Sequence, residues 1–212
     1  MNFLIEIVSM VKKQLFQSLL PFVALGFLLM HFSCDLPEDV RPEQGKTFIK
    51  LFGGDGSEVG HDLAAMPDGG FVMTGSTTSG SAAGKDLFVV RTDSLGNVIW
   101  QRNFGSDGDD VGHSILVGDD GNIYVCGEYT QDSPTGTALR DAYVVSLSMD
   151  GSSLGEHTYG DSLRDEVGTD IRGIQGAGFL ITATWLQEAS AYFITETDAN
   201  LTPIEKRSRY LS

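Results

Sequence analysis

The sequence predicts an all-β domain built from tandem units of four short strands. Three observations carry that prediction: aromatic-Gly and Val-Gly pairs recur three times, short β-branched and aromatic runs lie between them, and 26 glycines fall at regular turn positions. Phe52-Gly53, Phe104-Gly105 and Tyr159-Gly160 are spaced by 52 and 55 residues, and Val59-Gly60, Val111-Gly112 and Val167-Gly168 by 52 and 56. Two independent markers with the same spacing define an internal repeat, with units at about 52–103, 104–158 and 159–212.

Each unit presents the same elements in order. A first apolar run follows the Val-Gly pair: Leu63–Met66, Ile115–Val117, Ile171–Ile174. A turn rich in Gly and Asp comes next, at Pro67–Gly70, Gly118–Asn122 and Gln175–Gly178. The second run is Phe71–Thr74, Ile123–Cys126 and Phe179–Thr182, with the length and composition of a strand bounded by turn chemistry. A polar loop leads to a third strand, expected at Leu87–Arg91, Ala142–Ser146 and Ala191–Thr195. The turn that closes it carries Gly96, Gly151 and, in the last copy, Asn200, the residue that best replaces glycine at positive φ. A fourth strand ends the unit, most clearly at Val98–Arg102 with Trp100 on the packed face.

Four short strands in about 50 residues are the signature of a β-propeller blade. Thr47–Leu51 reads as one further fourth strand leading into Phe52-Gly53. Three blades do not ordinarily close a ring. The expectation is a propeller-like array of about three antiparallel blades that is open or incomplete: an arc with exposed edges, a homo-oligomer that completes the ring, or a fragment of a longer gene.

The residues also resemble a bacterial β-propeller repeat family, in which a tryptophan strand enters an aromatic-Gly-Gly turn and is followed by an Asp-Gly-Gly-aromatic hairpin and an Asp-aromatic-Val-Val strand. Here these are Trp100–Gly105, Asp68–Phe71, and Asp86–Val90 with Asp141–Val145. The resemblance covers residues 47–212 and is clearest in the first two units; in the third, Ala183 stands for Gly75 and Gly127, and Ser190 for the Asp. It implies that Asp86 and Asp141 hydrogen-bond backbone amides of the turn. His61 and His113 follow Gly60 and Gly112, and a Gly-His pair at a similar place in WD-repeat propellers belongs to a structural hydrogen-bond network; a shared metal is the sharper alternative.

Ahead of the repeats, residues 1–33 read as a lipoprotein signal peptide. Lys12 and Lys13 form a basic n-region and Leu15–Met30 an apolar stretch too short for a spanning helix, which needs about 20 residues. Met10 makes a more ordinary start than Met1. The run Met30, His31, Phe32, Ser33, Cys34 resembles a bacterial lipobox in layout, with Cys34 as the acylated (palmitate-bearing) residue; an uncleaved N-terminal anchor is the alternative. Residues 34–46 then form a flexible acidic tether, with Pro37 and Pro42 keeping it extended. Its opening Asp35, Leu36, Pro37, Glu38, Asp39 resembles the surface-export signal of Bacteroidota-type lipoproteins, an ordinary solvated tether being the plainer reading. The expected location is the cell envelope, at the outer membrane and facing its surface.

Composition narrows the function. A net charge of −15 repels phosphate backbones and anionic headgroups, so nucleic acid is not an expected partner and the membrane is reached through the anchor on Cys34. With Cys34 acylated, Cys126 has no disulfide partner and reads as a small buried thiol. The acidic loops Asp55–Asp62, Asp107–Asp110 and Asp161–Asp170 bring carboxylates together, and Asp107, Asp109 and Asp110 are the candidate calcium ligands, although no loop carries an alternating ligand pattern closed by a bidentate Glu. No catalytic set emerges: Gly-x-Ser-x-Gly, His-Glu-x-x-His and phosphate-loop motifs are missing. Tyr124, Tyr129, Tyr143, Trp185 and Tyr192 are candidate platforms for a sugar or peptide, and Trp185 with Leu186 are the ones expected to be exposed. The leading expectation is a non-enzymatic interaction or scaffold lipoprotein that binds a protein or glycan and needs no cofactor. The alternatives are a carbohydrate hydrolase using loop carboxylates and a calcium-stabilised structural module.

Overall fold

The computed structural model describes residues 49–81, 83–131, 138–160, 164–185, 192–204 and 209–211. The described residues belong to one compact unit, Phe48–Ser212. The expected signal peptide, Cys34 and the expected tether lie outside the described residues, as do Leu186, Ser190 and Ala191.

The described residues are all-β, arranged in three antiparallel four-stranded sheets. The first holds β1 (Glu58–Ala65), β2 (Phe71–Thr77), β3 (Asp86–Thr92) and β4 (Val98–Phe104). The second holds β5 (Val111–Val117), β6 (Ile123–Thr130), β7 (Arg140–Leu147) and β8 (Ser153–Tyr159). The third holds β9 (Glu166–Ile174), β10 (Gly178–Trp185), β11 (Tyr192–Thr197) and β12 (Arg209–Leu211). Strand order follows sequence order in each, so every sheet is a simple meander closed by the turns the glycines mark.

Alternation explains how the sheets meet. Ala64, Val72, Leu87, Val89 and Trp100 lie on one face of the first sheet and pack against Ile115, Ile123, Val125, Tyr143, Val145 and Leu147 of the second. The opposite face of the second sheet, with Tyr124, Cys126, Ala142 and Val144, packs against Ile171, Phe179, Ile181, Ala183 and Phe193 of the third. Both faces of the second sheet are therefore dry, and its strands β6 and β7 read as near-continuous apolar runs instead of alternating ones. Each buried aliphatic side chain contributes about 1.5–3 kcal/mol, so the two inter-sheet layers dominate the stability of the domain. The first strands of successive sheets also meet, β1 against β5 and β5 against β9.

Three expectations are corrected. Ile49–Leu51, the described part of the expected strand Thr47–Leu51, is not a strand; Ile49 and Leu51 are 94% and 96% exposed. A strand needs a partner edge, and none is presented to it among the described residues. In the third unit Tyr192 pairs with Thr184, as Leu87 pairs with Ser76 and Ala142 with Glu128. The counterpart of Ala142 is thus Tyr192, one residue later than expected, and that step moves Phe193 onto the face turned to the second sheet. The left-handed turn position of the third unit is Leu201, at φ 63°, and not Asn200. Gly96 and Gly151 hold the equivalent place at φ 74° and 82°, and in all three turns this residue donates its N–H to the carbonyl of the residue three earlier.

Candidate functional site

The Val-Gly-His motif turns out to be a β-bulge. Gly60 pairs with Gly75 and Asp62 with Thr74, which leaves His61 as the extra residue; His113 and Thr169 are extra in the same way. A bulge bends the strand and re-aims the side chain of its extra residue. The first strands are adjacent, so the bulges form a row across the three sheets. His61 Nδ1 donates to the Gly112 carbonyl at 3.0 Å, and the two imidazoles stack with centroids 5.1 Å apart and planes 4° from parallel. Thr169 Oγ1 lies 3.1 Å from the Thr182 carbonyl. Beside this row a second one runs through Asp62, Ser114 and Asp170: Asp62 accepts the Ile115 N–H at 2.9 Å and Ser114 donates to Asp170 at 2.8 Å. These bonds cross from one sheet to the next, so the rows stitch the sheets together.

His113 faces Glu128, Nε2 to Oε1 at 3.9 Å, and Arg140 bonds the other Glu128 oxygen at 3.0 Å. Burial pushes the Glu128 carboxyl up, but the nearby His113 imidazole and the charge and hydrogen bond of Arg140 outweigh it, and its pKa ends below the ordinary value. Among the described residues no group of three His, Cys, Asp or Glu is placed to hold a metal ion.

The acidic loops are organised by a position that repeats with the Val-Gly spacing: Glu58, Asp110 and Glu166. Glu58 accepts from Gly54 N, Thr77 Oγ1 and Ser79 Oγ, and Asp110 from Ser106 N, Ser106 Oγ and Thr130 N. Glu166 takes the Trp185 indole N–H at 2.9 Å. Of the calcium candidates, Asp110 is fully buried with both oxygens bonded, and Asp109 accepts the Lys85 N–H at 3.0 Å with Lys85 Nζ at 3.7 Å. Asp107 lines a polar recess with Asp86 and Ser106. Asp86 accepts the side-chain amide of Asn103 and Asp141 that of Gln131.

The aromatic candidates separate by burial. Tyr124 and Tyr143 are 5% and 2% exposed and belong to the inter-sheet layers. Trp185, expected to be exposed, is half-buried, with its N–H on Glu166 and the Arg164 guanidinium 4.1 Å from its ring. A cleft of about 730 Å³ lies at the hairpin ends of the second and third sheets. Leu116, Tyr124 and Phe179 line it with apolar surface, and Asp119, Asp120, Arg172 and Gln175 are its exposed polar residues. Asp120 accepts from the Tyr124 hydroxyl at 2.7 Å and from Asn122 N and Nδ2 at 3.0 and 2.7 Å. Burial alone pushes the Asp120 carboxyl up, yet these bonds hold its pKa below the usual value. Composition could not foretell this cleft, because it forms only when two hairpin turns distant in sequence are stacked.

Neither the comparison with protein-family models nor that with curated proteins finds a match to this chain.

Proposed function

We propose that this chain is a non-enzymatic cell-envelope lipoprotein, anchored at the outer membrane through an acyl group on Cys34, whose three sheets are blades of an open propeller-like array that binds a glycan or protein partner. The observation that carries the binding reading is the cleft between the second and third sheets. Its size, apolar floor and few polar rim groups are those of a ligand site. The face-to-face stacking of the meanders and the adjacency of β1, β5 and β9 support the propeller-like reading, as does the resemblance carried by Trp100–Gly105 and Asp68–Phe71.

The chemistry of the cleft favours binding over hydrolysis. A glycosidic acid needs a raised pKa, whereas the Asp120 carboxyl is held low by three donors. The calcium-stabilised reading has less support, since both oxygens of Asp110 and one of Asp109 already accept N–H and O–H donors. A melting midpoint raised by about 1 mM calcium would restore it.

The test is to incubate the full chain with a panel of neutral oligosaccharides, reading binding by ligand-observed NMR and turnover by reducing-end release. Binding without turnover, weakened at least about tenfold by Asp119→Ala or Gln175→Ala, is expected. Turnover would establish the hydrolase reading instead. The anchor is tested separately by growth with an alkyne-bearing palmitate: label on the wild-type chain and none on Cys34→Ala is the expected pattern.

A further inference from the structure

The hairpin ends of successive sheets meet at two junctions, and the two differ in what fills them. Between the first and second sheets Arg91 closes the junction from within the chain. One nitrogen of its guanidinium donates to the Asp68 carboxylate at 2.5 Å, and the other to the Met149 carbonyl of the next sheet at 2.8 Å. The Trp100 N–H donates to the same carbonyl at 3.0 Å, and Met66 and Trp100 are both buried in that inter-sheet layer.

Register carries each of these positions over to the junction of the second and third sheets. The turn bonds Met66 N to Gly70 O and Gly118 N to Asn122 O place Asp120 where Asp68 stands and Gly118 where Met66 stands. Those from Ser148 N to Ser152 O and from Asp198 N to Thr202 O place Ala199 where Met149 stands. Asp120, Gly118 and Ala199 all line the cleft of about 730 Å³. The two acceptors are therefore kept, but their shared donor is not. Tyr124 pairs with Ser146 as Val72 pairs with Arg91, and Ser146 pairs with Gly155 as Arg91 pairs with Trp100. Leu201 offers bulk in place of Trp100, but no cation takes the place of Arg91.

The charge of the cleft fits that vacancy. Asp68 has Arg91 as its counter-ion, whereas Asp120 has none among the described residues and accepts only from the Tyr124 hydroxyl and the Asn122 amides. Asp119, where the first sheet has Pro67, adds a second exposed carboxylate to the same lip. Arg172, the cation among the lining residues, is held by Asp170 at 3.0 Å. Leu116 and the tilted Tyr124–Phe179 ring pair give an alkyl stem an apolar path beside the carboxylates. A carboxylate on one lip and a carbonyl on the other suit a planar fork of N–H donors better than a compact ammonium. A cleft of this volume holds a residue together with its flanking backbone, where a lone guanidinium would leave most of it empty. We infer that the cleft takes an arginine side chain presented by a partner polypeptide, its guanidinium bridging Asp120 to the Ala199 carbonyl as Arg91 bridges Asp68 to that of Met149. This names the ligand chemistry of the cleft and rests on the cleft being the binding site proposed above.

The test is ligand-observed NMR of the full chain in about 0.15 M salt, which screens the general attraction of the −15 charge. The probes are acetyl-Gly-Arg-Gly-amide, its lysine and citrulline counterparts, and free arginine. The arginine peptide is expected to bind at least about tenfold more tightly than any of the other three. Asp120→Asn is expected to abolish that preference, and Asp55→Asn, the same loss of charge outside the cleft, to keep it. A lysine peptide or free arginine that binds as well, or a preference that survives Asp120→Asn, would overturn the inference. Ser146→Arg supplies the guanidinium from within the chain, as the first sheet does, and is expected to exclude the peptide; undiminished peptide binding with a wild-type circular dichroism spectrum would also overturn it. Should Ser146→Arg not give that spectrum, the exposed Asp120→Asn decides. Oligosaccharides scored on the same samples keep the two readings apart: an oligosaccharide that binds where the arginine peptide does not rejects the arginine alone, and silence of both rejects the cleft as a binding site.

Discussion

Leu201 holds a backbone conformation that its counterparts leave to glycine, and the reason is the space around the turn. Gly151 lies under Trp100, where a Cβ would come within 2.8 Å of the ring. In the second sheet the register position of Trp100 belongs to Gly155, so the turn of the third sheet can carry the bulk instead, and Leu201 is 2% exposed. Left-handed backbone costs a branched residue about 1–2 kcal/mol, less than the roughly 2–5 kcal/mol lost when a buried leucine is truncated. Both Leu201→Ala and Leu201→Gly are therefore expected to destabilise the domain. Alanine is the worse of the two by about 1 kcal/mol, because it keeps the strain and loses the packing; urea unfolding of the two variants measures the difference. Cys126 is a second residue whose surroundings decide its chemistry. Burial, with the Asp170 charge adding to it, pushes its thiol up to about 12, and none of it reaches solvent. A thiolate is the reactive species, so the peptide containing Cys126 is expected to stay unmodified by iodoacetamide at pH 8 in the native protein and to be alkylated within minutes in guanidinium. Alkylation of the folded protein at the same rate would mean that the second and third sheets open readily.

At the scale of the element, the bulge is where each sheet meets the one before it, and its glycines should be unequal. Gly112→Ala and Gly168→Ala force a methyl against a neighbouring sheet and are expected to cost about 1–3 kcal/mol, as overpacking does. A Cβ at Gly60 meets nothing within 4 Å among the described residues, so Gly60→Ala should leave the unfolding unchanged. Comparable losses at all three would place the cost in the strand itself. The same bulge marks the limit of what the sequence discloses. Strands, hairpin turns and the three-unit register were legible, because period-two apolar runs and Asp-Gly turns are local signals. The extra residue was not, because it exists only in the pairing of two strands, and Val-Gly-His reads the same with or without it. The third strand of the last unit slipped by one for a related reason: Ala191, Tyr192 and Phe193 fit either register, and only pairing with Thr184 and Ala183 decides. Ile49–Leu51, the described part of the expected strand Thr47–Leu51, failed differently, since composition suits a strand but hydrogen bonding requires an edge. Glu58, Asp110 and Glu166 could have been found from spacing alone.

For the whole molecule, the carboxylates that tie the turns and the stitching network set how stability responds to acid. The side-chain bond from Ser79 lowers Glu58, that from Asn97 lowers Asp93, and that from Ser148 lowers Asp150 to about 2. Asp120 and Glu128 are pushed up by burial but end below their ordinary values through their hydrogen bonds, aided at Glu128 by the Arg140 charge. A carboxyl whose folded pKa is depressed contributes stability that is fully present above its unfolded pKa, about 4, and is lost as pH falls through the folded value. Asp110 acts in the opposite sense. Burial raises its pKa more than the bonds from Ser106 and Thr130 lower it, so the folded state takes up that proton first and gains stability as pH drops. These five depressed groups outweigh Asp110. The melting midpoint is therefore expected to hold steady from pH 7 to about 5 and to fall steeply between about 4 and 2. Measuring in about 0.3 M salt screens the long-range repulsion of the −15 charge, whose relief in acid would otherwise mask the fall. Asp110→Asn removes this opposing group and should make the fall steeper; an unchanged or shallower slope would mean that Asp110 is ionised in the folded protein down to the same pH as the rest.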